Sequence, residues 1–102
     1  MMLLGVVVSS VQAGEFRKTE GPKVDRQYIV VFKEDDARVA MDLLESELRD
    51  RALKSSFNVR QIWKDALYGA SITDIDEAGA QAITPMPGVE YVTEARWDSP
   101  LP

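Results

Sequence analysis

Between Gln27 and Lys33 the chain reads QYIVVFK, and its alternate residues sort into two sets, Tyr28, Val30 and Phe32 against Ile29 and Val31. Both sets are apolar, and the run is β-branched and aromatic, which predicts a strand. A strand apolar on both faces is either buried on both or covered on one by something outside the domain. From Ala37 the period changes. Ala37, Ala40, Met41, Leu44, Leu48 and Ala52 step by three or four residues, which is one stripe of a helix. Asp35 or Asp36 stands where its N-cap belongs. The opposite side carries the i,i+4 pairs Glu45 with Arg49 and Glu47 with Arg51, and Arg49, Arg51 and Lys54 lie near the negative end of the helix dipole.

FNVRQIWKDALYGASITDI then predicts two strands joined near Lys64-Asp65-Ala66. Val59, Ile62 and Trp63 are the apolar positions of the first, with Trp63 read as core ahead of a partner anchor, and Leu67, Tyr68 and Ile72 are those of the second. Gly69 inside a strand marks a bulge or a close backbone approach. Thr73 or Asp74 is placed to cap a shorter helix over Ile75 to Thr84, with Asp76 and Glu77 in its first turn. Pro85, Pro87 and Gly88 end that helix, and the last strand runs from Val89 to Trp97.

The order β-α-β-β-α-β predicts an α+β ferredoxin-like plait, a four-stranded antiparallel sheet with two helices on one face. The other face has no helix left to cover it, yet the strands carry apolar residues on both sides. An uncovered apolar face is an expected interaction surface. In the last strand Tyr91 and Trp97 share one side and Val92 takes the other. The pattern does not say which side faces out, so Tyr91, Val92, Thr93 and Glu94 are all candidates for contact.

Composition narrows the chemistry. The chain of 102 residues suits one domain. A net charge of −5 argues against a nucleic-acid partner, which needs a basic face. With no cysteine and no histidine there is no disulfide, no thiol nucleophile and no triad with a histidine base. Neither an enzyme, a metal nor a cofactor is expected. Asp74-Ile75-Asp76-Glu77-Ala78-Gly79 begins like a calcium loop, but the twelfth position is Pro85 where a bidentate Glu is required. Ser55, Ser56 and Ser71 have no base to activate them.

The start, MMLLGVVVSSVQAGE, differs from the rest. Leu3 to Val8 is apolar but too short to span a bilayer, and no Lys or Arg precedes it. Val11-Gln12-Ala13 before Gly14 has the small-x-small character of a leader-peptidase site. The expectation is a secretory signal over 1–13, a flexible leader to residue 26 with Gly21-Pro22 in it, a domain over 27–98 and a tail over 99–102. The mature protein would then be extracellular, off the membrane and monomeric when free.

YIVVFK opening a strand, then ALYGASIT, then PGVEYVTEARW, in this order and spacing, resemble the propeptide domain of subtilisin-like serine proteases, peptidase inhibitor family nine. The resemblance runs from Gln27 to Pro102. It implies an inhibitor, and in a precursor a folding chaperone, whose open sheet face packs on two helices of a subtilisin-like protease. The segment after the last strand would lie in the active-site cleft like a product. That assigns Trp97, Asp98, Ser99, Pro100, Leu101 and Pro102 to the protease, with Leu101 in the primary specificity pocket and Asp98 at the fourth subsite; the rival registration puts the Pro102 carboxylate at the active site and Leu101 one subsite back. Two departures stand out. The family often has acids late in the last strand, where this chain has Thr93 and Ala95 beside a single Glu94. Asp98 also falls where subtilisins often take an apolar group. The competing reading is a non-catalytic ferredoxin-like module for ligand binding or assembly, since a fold does not set a function.

Overall fold

In the computed structural model, which describes residues 14–18 and 23–96, seven elements follow in order: β1 (Glu15–Arg17), β2 (Lys23–Phe32), α1 (Glu34–Ser55), β3 (Asn58–Lys64), β4 (Tyr68–Thr73), α2 (Glu77–Ile83) and β5 (Val89–Arg96). The chain is α+β. Its sheet has five strands in the order β1-β5-β2-β4-β3. All neighbours are antiparallel except β1 and β5, which run parallel.

The mixed five-stranded sheet corrects the expected four-stranded antiparallel one. The added strand comes from the segment read as flexible leader. Glu15, Phe16 and Arg17 pair with Tyr91, Val92 and Thr93. Without them β5 would be an edge with unpaired backbone groups. Phe16 alone turns inward, its ring 6.0 Å from that of Tyr28. One apolar residue between two charged ones is too short a pattern to signal a strand.

β2 also starts earlier than its apolar run, at Lys23. Its first residues are charged and read as loop. They extend the strand through the pair Lys23–Arg96, across a register shift before Tyr28, with Arg26 at φ 59°.

α1 is capped by the backbone of Lys33, with no side-chain cap bond, so Asp35 and Asp36 lie within the first turn rather than at the cap. There their charge still suits the positive end of the dipole. The helix kinks at Ala40 (φ −140°, ψ 38°) and stops at Ser56, whose left-handed backbone bonds back to the Ala52 carbonyl. α2 is capped neither by Thr73 nor by Asp74. Asp74 sits at φ 62° with its carboxylate taken by the Asn58 amide. The cap falls to Asp76, whose Oδ1 accepts from the Gly79 N–H at 2.8 Å.

Both helices lie on one side of the sheet. Tyr28, Val30 and Phe32 of β2, Ala70 and Ile72 of β4, and Val89 and Val92 of β5 form one cluster with Ala37, Leu44, Leu48 and Ala52 of α1 and with Ala80 and Ile83 of α2. An ion pair braces this layer at its rim, where Glu45 of α1 meets Lys64 of β3 at 3.0 Å.

The uncovered sheet face as candidate functional site

Strand alternation puts the remaining residues on the side away from the helices. They are Ile29 and Val31 of β2, Tyr91, Thr93 and Ala95 of β5, Gly69, Ser71 and Thr73 of β4, and Gln61 and Trp63 of β3. A second small cluster forms here. Ile29, Val31 and Ala95 are buried at its centre, and Val24, Trp63, Leu67 and Tyr91 pack around them, each half-buried. No helix takes part. The long side chains of neighbouring strands lie across the short ones and remove them from water. The large hydrophobics that stand out in solvent are instead Val39, Leu43 and Leu53 on α1.

Two aromatic residues flank the cluster. Trp63 pairs with Gly69 across β3 and β4. A Cβ at Gly69 would collide with the Val30 carbonyl oxygen, so the glycine answers to a close backbone approach, one of the two readings the sequence allows. Tyr91 sits near the other side, with the Arg17 guanidinium 3.8 Å from its ring centre. At that distance the cation meets the negative face of the ring. Arg17 also pairs with Glu15 at 3.3 Å. Gly69 and Val31 lie between the two aromatics in one row of the sheet, and the next row holds Gln61, Ser71, Ile29 and Thr93, so the face between them carries no charge. Ser71 is buried, and its Oγ accepts from Gln27 Nε2 at 3.4 Å.

The four sheet-face candidates therefore divide. Tyr91 and Thr93 belong to the uncovered face. Val92 pairs with Val30 and is fully buried under the helices, which takes it out of any contact surface of the folded chain. Glu94 pairs with Tyr28, turns to the helix side and is 5% exposed. Its Oε2 lies 3.0 Å from Lys23 Nζ, and this bond holds the Lys23 ammonium above its ordinary pKa. The one acid late in the last strand is thus spent on the protein's own edge. Trp97, Asp98, Ser99, Pro100, Leu101 and Pro102 lie outside the described residues.

The sequence did not place two members of this face on it. Trp63 read as core, because Val59, Ile62 and Trp63 look like a single apolar set. A register shift between Val59 and Gln61 puts Val59 and Ile62 on the helix side together and sends Trp63 to the other. Apolar residues three apart in a strand demand such a bulge, so the signal was there to find. Arg17 was missed with its strand.

No family model matches this chain, and no curated protein matches it either. Among the described residues no group of three or more acids is placed to hold a metal ion, and no helix is long and apolar enough to cross a membrane.

Proposed function

We propose that the protein is an exported inhibitor of a subtilisin-like serine protease. In this reading the four antiparallel strands β5-β2-β4-β3 and the two helices are a ferredoxin-like plait, to which β1 adds a parallel edge. The observation that carries the reading is the second apolar cluster. It has aromatic anchors at Trp63 and Tyr91, no charge between them and no helix over it. Interfaces draw their energy from a few such anchors, with Tyr, Trp and Arg foremost. The face meets the protease, with Tyr91 and Thr93 as the residues of β5 that touch it. Glu94, held by Lys23, takes no part. The segment YIVVFK and the stretch PGVEYVTEARW support the choice of partner through their resemblance to inhibitor family nine.

The tail completes the inhibitor. Trp97 to Pro102 runs extended in the cleft and pairs with its edges as an added strand. Pro100 holds φ near −65°, so less chain entropy is lost on docking. Leu101 fills the primary pocket, and the tertiary amide to Pro102 is a poor bond to cleave.

The test is inhibition of a subtilisin by the full chain and by a chain ending at Trp97. Truncation is expected to weaken inhibition at least tenfold, and Leu101→Asp to do the same. Equal inhibition by both chains removes the tail from the cleft. If neither inhibits, the alternative stands: an assembly module, which the exposed Val39, Leu43 and Leu53 of α1 would favour.

A further inference from the structure

We propose that cleavage between Ala13 and Gly14 leaves Gly14 as the first residue of the mature chain, and that its α-ammonium is seated on the C-terminal end of α2. This rests on the export part of the reading above and not on the inhibitory part.

Two independent marks fall on the same peptide bond. One is the sequence Val11-Gln12-Ala13, with small residues in the two places a leader peptidase reads. The other is structural. Gly14 is held by the fold directly after that triplet, and its N–H donates to the Thr84 carbonyl oxygen at 2.8 Å. β1 starts at the next residue. The seat admits only glycine without rearrangement. A Cβ there would lie 2.7 Å from the Thr84 oxygen, 2.9 Å from the Val89 oxygen and 3.0 Å from Val89 Cγ1.

The seat also suits a positive charge. Thr84 is the C-cap of α2, and the last turn of α2 contains no basic residue. A helix C-terminus carries partial negative charge on its last carbonyls and is stabilised by a cation nearby. Hydrolysis supplies that cation. One water adds across the Ala13–Gly14 amide. The acyl carbon leaves as the Ala13 carboxylate, and the Gly14 nitrogen takes up protons to become an ammonium. The donor to Thr84 is the same nitrogen before and after, but the bond becomes charge-assisted, and such bonds are about twice as strong as neutral ones. Processing would thus tighten β1, the strand that carries Arg17 over Tyr91, against β5.

The experiment expresses the full chain in a host that exports proteins and reads the intact mass of the product. A chain starting at Gly14 is expected, and any other start overturns the proposal. The exported product is then compared with the same product acetylated on its α-amine at pH 6.5, where lysines stay protonated. Acetylation keeps an N–H for Thr84 and removes only the charge. It is expected to raise the urea unfolding constant about three- to tenfold, in line with the gain from charge assistance and the helix dipole. Coincident unfolding curves would overturn the ammonium seat. Gly14→Ala should still be exported and cut, yet melt below the acetylated protein. A Gly14→Ala melt equal to that of the parent product would mean that residue 14 is not packed against Thr84. Protease inhibition is not a readout here, so these outcomes and the failure of the inhibitor reading are separable.

Discussion

On the helix side of β2, Val30 is fully buried under α1 and α2; one residue along, Val31 is 4% exposed with no helix above it. The two valines reach nearly the same burial by different means. Val30 lies between two layers of secondary structure. Val31 lies under side chains of its own layer, with Trp63, Leu67 and Tyr91 gathered around it and Ile29. Burial therefore does not by itself reveal a second layer. The difference is in what backs each residue. Behind Val30 stand Leu48, Ile72 and Val92, and a change there opens a hole that little can fill. Behind Val31 stand side chains that can move. A thin roof of half-exposed aromatics also keeps bare aliphatic surface out of water, which works against aggregation.

The comparison breaks most visibly at two adjacent residues of β5. Val92→Glu puts a charge into the helix-side core, where an isolated carboxylate costs more than a small domain can absorb. Loss of the cooperative thermal transition is expected. Tyr91→Glu, on the other face, should fold with its circular dichroism unchanged and weaken inhibition of a subtilisin at least tenfold. A folded Val92→Glu protein would show that the two faces have been assigned the wrong way round.

Two isoleucines sharpen the contrast. Ile72→Ala, beneath the helices, should cost about 2–5 kcal/mol, the range for large-to-small changes in a packed core. Ile29→Ala, under the side-chain roof, should cost less than about 2 kcal/mol, because Trp63 and Leu67 can settle into the space. Urea denaturation of both decides. Equal costs would mean that the roof is as rigid as the helices.

A smaller effect belongs to α2, which depends on Asp76 for its start. Asp76→Ala should lower stability by about 1 kcal/mol, whereas Asp74→Ala should leave α2 capped. Asp74→Ala also gives up the Asn58 bond and puts alanine at φ 62°, so helix content decides and not stability: a loss of helical circular dichroism from Asp74→Ala but not from Asp76→Ala would return the cap to the position the sequence suggested.

The smallest effect is electrostatic. Lys64 and then Arg49 hold the Glu45 carboxylate below its ordinary pKa through hydrogen bonds. A carboxylate lowered on folding stabilises in full above its unfolded pKa of about 4.3. That contribution is lost as pH falls through the lower folded value. For so exposed a pair it is expected to stay under about 1 kcal/mol. Glu45→Gln should flatten the urea midpoint between neutral pH and pH 3 by that amount; an unchanged profile would detach the helix rim from β3.

The periodic segments were legible because each carries its own pattern. The stripe Ala37, Leu44, Leu48 and Ala52 is buried as its spacing requires, and the alternation of Tyr28, Val30 and Phe32 against Ile29 and Val31 separates the two faces of β2. Both helices and the four strands they accompany follow from such local repeats, as does the α+β class. What escaped depends on partners distant in the chain. Glu15-Phe16-Arg17 is a strand only because β5 offers an edge more than seventy residues away. Lys23 extends β2 because Arg96 and Glu94 meet it there. Val92 and Glu94 could not be told from Tyr91 and Thr93 by pattern, since either parity of β5 is half apolar. A single register, Val30 against Val92, turned one pair to the helices and the other to the uncovered face. Local periodicity determined which segments are helix or strand. Only tertiary pairing, where a shift of one residue reverses every side chain, decided which residues a partner can reach.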